Sequence, residues 1–254
     1  YSYSSKKFGM AQQHIDGLMR PLRLDVLGKK LAAHPFASTA DTVINAQGEE
    51  RHMGDGYAAA RYFAGHVYEA IEAVVLLPAK AMGFLQTLAR VMAHEGKPLA
   101  WTTPTGLPWV NRYHEPSVKD VELWLHDKRV RLRVLDGHLP TVDKHRAANG
   151  VAPNFVHALD AAHLLLTCAA AAREGIVSAT VHDSFGCHAP HARRYNEIIR
   201  EQFVKMYEEH DVLAEVLECA KRDLTLHNWQ RLPDVPQKGS LDLSEVLHAA
   251  FAFA

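Results

Sequence analysis

The chain has 254 residues, of which 48% are hydrophobic and 22% charged, a balance typical of a folded globular protein. The formal net charge of −1 excludes binding to nucleic acid through a strongly basic overall field, so any such binding depends on local basic patches. Three cysteines without C-x-x-C spacing indicate a reducing, cytoplasmic setting, and no apolar run reaches about 18 residues, which disfavours a membrane role.

The first 95 residues are predicted to be mainly helical. Apolar side chains recur at helical spacing over residues 10–24, which predicts one short helix with Pro21 as its stop or kink. The pattern weakens between 25 and 55, where loops and turns are expected. An alanine-rich helical region follows over 56–95, and Pro78 divides it into two helices.

The apolar period then changes to that of β-strands. Residues 99–110 form two apolar runs around a Pro-Thr-Gly turn, and residues 121–134 alternate with period two around a central turn, which predicts a β-hairpin. On its second arm three arginines point to one face: Arg129, Arg131 and Arg133. This row is either a solvated strand face that prevents aggregation or a surface for nucleic acid.

A second hairpin is expected to carry a carboxylate at its tip. A helix is predicted to begin within 150–154, where Pro153 and Asn154 suit a first turn, and to end before Gly175. Two short strands follow, with Asp183 in the tight turn between them. Aspartate is a common turn residue for structural reasons, but a carboxylate held in this way also suits Mg²⁺ in phosphoryl-transfer enzymes.

The remaining residues are predicted to be helical with an irregular tail. Two helices over 191–230 separate near Asp211, and a last short helix lies near residues 244–248. The pattern of the whole chain therefore predicts an α+β fold that is mostly helical.

Four segments closely resemble, in the same order, consecutive segments of single-subunit bacteriophage-type DNA-directed RNA polymerases. They are SYSSKKFG at 2–9, VAPNFVHALDAAH at 151–163, VHDSFG at 181–186 and KGSLDLSEVLHAAFAFA at 238–254. The NFVH and HDSFG blocks together with the FAFA end are more specific than any single motif. The resemblance covers the chain from end to end and implies the C-terminal part of a right-hand polymerase.

The resemblance also implies an organisation and an activity. Residues 1–110 would be a fingers-derived helical region, 111–140 the specificity-loop hairpin, and 141–254 the palm with its catalytic hairpin and C-terminal tail. The activity would be transcription, that is, template-directed RNA synthesis by nucleotidyl transfer. Its partners would be template and promoter DNA, nascent RNA, ribonucleoside triphosphates and the N-terminal portion of the polymerase, in the cytoplasm of the host cell.

Site residues are carried over from the matching motifs. Asp183 corresponds to a catalytic aspartate that binds Mg²⁺, and His182 and His157 would lie near the active site; the alternative for His157 is a core histidine. Tyr3 corresponds to a tyrosine that helps select ribose over deoxyribose, because its ring can stack on a base while its hydroxyl reports a 2′-OH. A glycine usually follows that tyrosine, whereas this sequence has Ser4.

Two features of the resemblance concern the DNA and the second metal ligand. The arginine row falls in the specificity loop, which implies base contacts in the promoter's major groove. The family's first metal-binding aspartate corresponds to a position before Tyr1, so the two-metal site would be incomplete in this chain and the chain alone would be inactive.

Two other hypotheses remain open. The chain would act as one half of a split polymerase if a separate N-terminal chain supplied the missing residues. A DNA polymerase of the same right-hand superfamily is the other alternative, but those enzymes typically have glutamate where this chain has Ser184, and they lack the FAFA end.

Overall fold

The computed structural model describes residues 7–45, 47–126, 128–181 and 184–251. Its α-helices are α1 (Lys7–His14), α2 (Arg20–Leu27), α3 (Tyr57–Val74), α4 (Leu76–His94), α5 (Lys144–Arg173), α6 (Ala192–Glu209), α7 (Val212–Asp223) and α8 (Glu245–His248). Its strands are β1 (Thr42–Ile44), β2 (Glu50–His52), β3 (Leu99–Thr102), β4 (Pro108–Asn111), β5 (His114–Leu125), β6 (Lys128–Val142), β7 (Ser178–Val181) and β8 (Ser184–Cys187). Consecutive strands pair in antiparallel two-stranded sheets. The chain is thus mostly helical with small sheets, and it divides into two compact units, 1–79 and 80–254.

In the first unit, helical structure continues past Pro21 instead of stopping there. A π-helical turn, Ile15–Met19, joins α1 to α2, and the Arg20 N–H donates to the carbonyl of Ile15, five residues earlier. Pro21 has no N–H to donate, and the wider turn before it places Pro21 at the start of α2, where a missing donor costs little. The prediction of a short helix over 10–24 was therefore too short.

A buried aspartate organises the loop region of the first unit. The Asp41 carboxylate is fully buried and accepts backbone N–H groups of Ser38 at 2.8 Å, Gly56 at 3.0 Å and Ala58 at 2.8 Å. Burial would raise the pKa of Asp41, but these donors outweigh it and hold the pKa below its usual value. The carboxylate thereby satisfies donors at the start of α3 and connects that helix to the loop region predicted over 25–55.

The helical region over 56–95 divides into two helices, as predicted, but the break lies at Val75 and not at Pro78. Val75 leaves helical geometry between α3 and α4, and Pro78 lies in the first turn of α4, where its missing N–H is tolerated. In the first unit, α3 buries Ala60 and Ala64, and Ala64 packs near Met10 of α1. Small alanine side chains allow the two helices to approach closely.

The main core of the second unit lies between α4, α5, α7 and the β3–β4 sheet. Its fully or nearly fully buried members include Leu88, Met92, Leu99, Trp101, Val151, Phe155 and Val216. The Trp101 ring meets the edge of Phe155 at a centroid distance of 5.8 Å. Burial of each large apolar side chain contributes roughly 1.5–3 kcal/mol, so this core holds α5 firmly against its neighbours.

Helix α5 begins earlier than the sequence pattern predicted. Asp143 caps it by accepting the N–H groups of His145 and Arg146 at 3.0 and 2.9 Å, and Pro153 lies inside the helix. The prediction of a start within 150–154 was wrong, because the Asp143 cap and the burial of Val151 stabilise helical structure before the proline.

Length and apolarity alone would allow α5 to cross a membrane, within the residues that the structure describes. The helix buries residues along its whole length, from Ala147 to Ala171, against the cores of the second unit. A core helix has the same composition as a membrane span, and packing accounts for this one.

Two carboxylates order the region after β8. Asp211 separates α6 from α7, as predicted, and its carboxylate accepts the N–H of Ala214. Glu95, just after α4, accepts hydrogen bonds from the Thr225 hydroxyl and the Asn228 amide, both at 2.6 Å. These bonds hold the pKa of Glu95 at about 2, so the ionised carboxylate ties the end of α4 to residues 225–231.

Candidate active site and nucleic-acid interface

One side of the hairpin that carries the HDS motif packs against two helices, α5 and α6. Val181 pairs with Ser184 and Ser178 pairs with Cys187, so two residues, His182 and Asp183, join the paired strands in sequence. Both of those residues lie outside the described part of the chain. The hairpin's inner side chains, Phe185 and Cys187, pack on a core formed by α5, α6 and Ile176. The strands on either side of Asp183 are therefore held by tertiary packing.

A buried histidine supports this hairpin and was not assigned a role from the sequence. The Nε2 atom of His163 on α5 lies 2.8 Å from the carbonyl oxygen of Ile199 on α6, and its ring is edge-on to Phe185 and Phe203. Burial lowers the pKa of His163, which favours the neutral imidazole. Its position in the quoted segment 151–163 is the only sequence signal, since the aromatic partners come from distant elements.

The NFVH segment presents two different faces on α5. Phe155 is buried against Trp101, whereas His157 lies on the exposed side of the helix. The alternative of a core histidine is therefore wrong for His157.

A polar cluster joins α5 to the end of β4. Asn111 is fully buried and donates its amide to the carbonyl of Ala147 at 3.0 Å, and the Asn154 amide donates to the Asn111 side-chain oxygen at 2.8 Å. The Asn154 amide also lies 3.3 Å from the Tyr113 hydroxyl. Because an unpaired buried amide is costly, these bonds fix α5 relative to the strands that lead into the long hairpin.

Gly150 leaves the space that the Tyr113 ring fills. A Cβ atom at Gly150 would lie 2.4 Å from the Tyr113 hydroxyl oxygen and 2.6 Å from two ring carbons. We expect Gly150→Ala to destabilise the fold by about 1–3 kcal/mol, because the ring must move and its contact with Asn154 is lost. Hydrogen exchange of the α5 amides in the complete protein would measure the change.

Gly83→Ala is the matched control for this substitution. Gly83 is also a helical glycine, on α4, but open space surrounds its Cβ position. Alanine there should be neutral or stabilise by up to about 1 kcal/mol through its higher helix propensity. Equal protection of α5 in the two variants would show that Tyr113 moves aside without cost.

The β5–β6 hairpin is longer than the predicted 121–134 and carries the arginine row on one face. Trp124 pairs with Arg129, Glu122 with Arg131, and Asp120 with Arg133. Register shifts near Ser117 interrupt the alternation, and Gly137 there has φ of 132°, a conformation that glycine adopts readily. These irregularities explain why the sequence pattern covered only the outer half of the hairpin.

The base of this hairpin is tied to α5. Val142 is buried beside Ala147, and the N–H of Asp143 donates to the carbonyl of Tyr113 at 2.9 Å. The outer half projects with exposed side chains, including Trp124 at 73% exposure. A two-stranded ribbon with an anchored base and a free outer half has a size suited to the major groove of DNA.

The described residues contain no cluster of potential metal ligands. Among them, no three His, Cys, Asp or Glu side chains converge in a group that would hold an ion. Magnesium in phosphoryl-transfer sites commonly uses only one or two protein carboxylates, with phosphates and water as further ligands. A single aspartate between β7 and β8 is compatible with that donor set.

Comparisons with known proteins agree on one family. A family model described as DNA-dependent RNA polymerase matches residues 3–230. A DNA-directed RNA polymerase of Enterobacteria phage T3 is 30% identical over 100% of this chain and 28% of its own length. The DNA-directed RNA polymerase of Pseudomonas phage phiKMV is 36% identical, covering 78% of this chain and 23% of the relative.

Organelle proteins belong to the same group of relatives. DNA-directed RNA polymerase 2, chloroplastic/mitochondrial, of Arabidopsis thaliana is 32% identical over 81% of this chain and 19% of its own length. The chain thus spans between 19% and 28% of these three relatives.

Proposed function

Because this chain belongs to the family of phage-type, single-subunit DNA-dependent RNA polymerases, we propose that it contributes to template-directed RNA synthesis on DNA, as the C-terminal portion of such an enzyme. The observation that carries the proposal is the β7–β8 pair: the HDS motif at 182–184 lies within the matched span, and β8, which pairs with β7, packs on α5 and α6. The partners would be template and promoter DNA, nascent RNA and ribonucleoside triphosphates, in the host cytoplasm.

The proposed division of the chain into three regions follows the domain architecture of the family. Residues 1–110 would derive from the fingers, 111–140 would be the specificity hairpin, and 141–254 would form the palm and tail. The anchored base and exposed outer half of the β5–β6 hairpin support the second assignment. The packing of β8, the partner strand of β7, on α5 and α6 supports the third.

Asp183 would hold catalytic magnesium together with substrate phosphates and a second carboxylate from elsewhere in the polymerase. Bound magnesium would activate the attacking hydroxyl and neutralise charge on the phosphates and the leaving pyrophosphate. The structure supports this proposal through the neighbours of Asp183 in sequence: β7 and β8 are paired, and the His163 ring packs edge-on against Phe185 of β8.

Two histidines near this site and the arginine row on the separate β5–β6 hairpin would contact nucleic acid. His157 lies on the exposed face of α5 and could approach the growing end of the RNA–DNA hybrid, and His182 adjoins the catalytic aspartate in sequence. The arginine row on β6 would enter the promoter's major groove, where a guanidinium can bond bidentately to guanine.

Two alternatives differ in what they require. A split enzyme would need a separate chain with the first metal-binding aspartate, and mixing the two chains would restore synthesis. A DNA polymerase would favour deoxyribonucleotides, but the relatives reported above are RNA polymerases, and Ser184 stands where glutamate is typical of DNA polymerases.

The preference of the enzyme for ribonucleotides over deoxyribonucleotides tests the proposed activity directly. In the complete polymerase, Tyr3→Phe should keep the stacking ring and remove the hydroxyl, so ribonucleotide addition should fall little while deoxyribonucleotide addition rises. Rates of single-nucleotide addition to a primer–template, measured with each sugar, give the ratio.

Tyr1→Phe is the matched control, because it removes the same hydroxyl two residues away and outside the family match. It should leave the ratio unchanged. An unchanged ratio in Tyr3→Phe would exclude a role for Tyr3 in sugar selection, and a wild-type preference for deoxyribonucleotides would contradict the proposed function.

A further inference from the structure

The face of the β5–β6 hairpin that carries the arginines also carries two acids. Paired residues on antiparallel strands share a face, and the register places Asp120 and Glu122 opposite Arg133 and Arg131. Among the described residues, this face holds three arginines and two carboxylates, a formal charge of +1. The row is thus much less positive than the arginines alone indicate.

Each arginine in the row is engaged by one of these acids. Arg131 and Arg133 lie 2.8 and 3.2 Å from the two oxygens of Asp120, so one carboxylate bridges two guanidinium groups. The Arg129 Nε donates to Glu122 at 3.0 Å, and its Nη2 also contacts that carboxylate. Asp120 is the less exposed of the two acids, with a side-chain exposure of 27%.

These pairs do little for stability, because exposed ion pairs contribute little in water. Their effect on DNA binding is larger. Attraction to phosphates depends on net charge and releases counterions whatever the sequence, so two carboxylates weaken it. They also repel any phosphate that approaches the same face.

Base reading is affected differently from phosphate binding. A guanidinium has five N–H donors, and a carboxylate that occupies one edge leaves others for the acceptors of guanine. An arginine held by an ion pair also loses less side-chain freedom when it meets a base. The acids therefore weaken sequence-independent binding more than sequence-specific binding.

We propose that Asp120 and Glu122 are specificity-determining residues, which suppress phosphate binding by the arginine row and orient its guanidinium groups toward base edges. The inference rests on the proposed function, since it takes the hairpin as a DNA-reading element. Asp120 has the larger effect because it engages two arginines.

The test compares Asp120→Asn with Asp136→Asn in the complete polymerase. Both remove one carboxylate from the same hairpin, but Asp136 pairs with Lys119 and does not touch the arginine row. The probes are a duplex selected by the wild-type enzyme from a randomised 30-base-pair library and a scrambled duplex of the same composition. Affinity for each is measured across a salt series.

We expect Asp120→Asn to bind the scrambled duplex about 5- to 10-fold more tightly, with a steeper salt dependence, and the selected duplex with little change. The ratio of the two affinities should fall accordingly. Glu122→Gln should act in the same direction but less, and Asp136→Asn should leave the ratio nearly unchanged.

Two results would overturn the inference in distinguishable ways. If Asp120→Asn keeps the wild-type ratio, or changes it no more than Asp136→Asn does, the acids have no role in specificity while base reading by the arginines stands. If the wild-type enzyme selects no preferred duplex, the DNA-reading proposal fails and this inference fails with it.

Discussion

Asp183→Asn in the complete polymerase should slow nucleotide addition at least about a thousandfold, which corresponds to roughly 4 kcal/mol of barrier. Asparagine keeps the size of the side chain and suits the turn, but it lacks the charge with which a carboxylate competes against water for magnesium. The lost interaction acts mainly in the transition state, where charge develops on the transferred phosphoryl group. Binding of promoter DNA should therefore remain near normal.

The measurement is single-turnover addition of one nucleotide to a preformed primer–template across a magnesium titration. Asp234→Asn is the control, since it removes an exposed carboxylate beyond the family match. His182→Ala should be milder than Asp183→Asn, because water can partly replace a neighbouring side chain. A near-wild-type rate for Asp183→Asn at saturating magnesium would exclude Asp183 as a metal ligand.

Replacement of the row arginines should separate promoter recognition from RNA synthesis. Arg129→Ala, Arg131→Ala and Arg133→Ala, each made singly, should lower promoter-dependent initiation by about 5- to 150-fold wherever the arginine reads a base. This range corresponds to about 1–3 kcal/mol per bidentate contact. Elongation on a primed template without a promoter should change little.

The assay compares initiation from the selected promoter duplex with extension of a primed template in the same buffer. Arg193→Ala is the control, because Arg193 is 96% exposed on α6 and pairs only with a neighbouring glutamate on its own helix among the contacts described. An equal loss on promoter and non-promoter templates would indicate phosphate contacts, and no loss on either would restore the interpretation of the row as a solvated strand face.

Local sequence determined the elements whose signals lie within a few residues. Pro78 indicated a break close to the boundary between α3 and α4, and Asp211 marked the start of α7, because a missing donor and a capping carboxylate act on their own turn. Strict alternation likewise placed Arg129, Arg131 and Arg133 on one face. The family was also evident from ordered motifs, whereas the role of Asp183 stays a prediction, since that residue lies outside the described part of the chain.

Predictions from local sequence were wrong or incomplete where contacts with residues distant in sequence determine the structure. Pro153 suited the first turn of a helix, yet α5 begins nine residues earlier, because its first turns pack near Val142 and Tyr113 and are capped by Asp143. The row of arginines indicated a strongly basic surface, but Asp120 and Glu122 on the opposite strand pair with it and leave a formal charge of +1 on that face.

Only the tertiary structure decided which side chains meet around the candidate site. Asn111 reaches Asn154 across 43 residues of sequence, and His163 meets the carbonyl of Ile199 across 36. Neither pair has a periodic or capping signal, since each contact depends on how α5 docks against separate elements. Sequence thus determined the motifs and the local elements, while side-chain packing between distant segments determined how the β7–β8 hairpin is supported and what charge the arginine face of the β5–β6 hairpin carries.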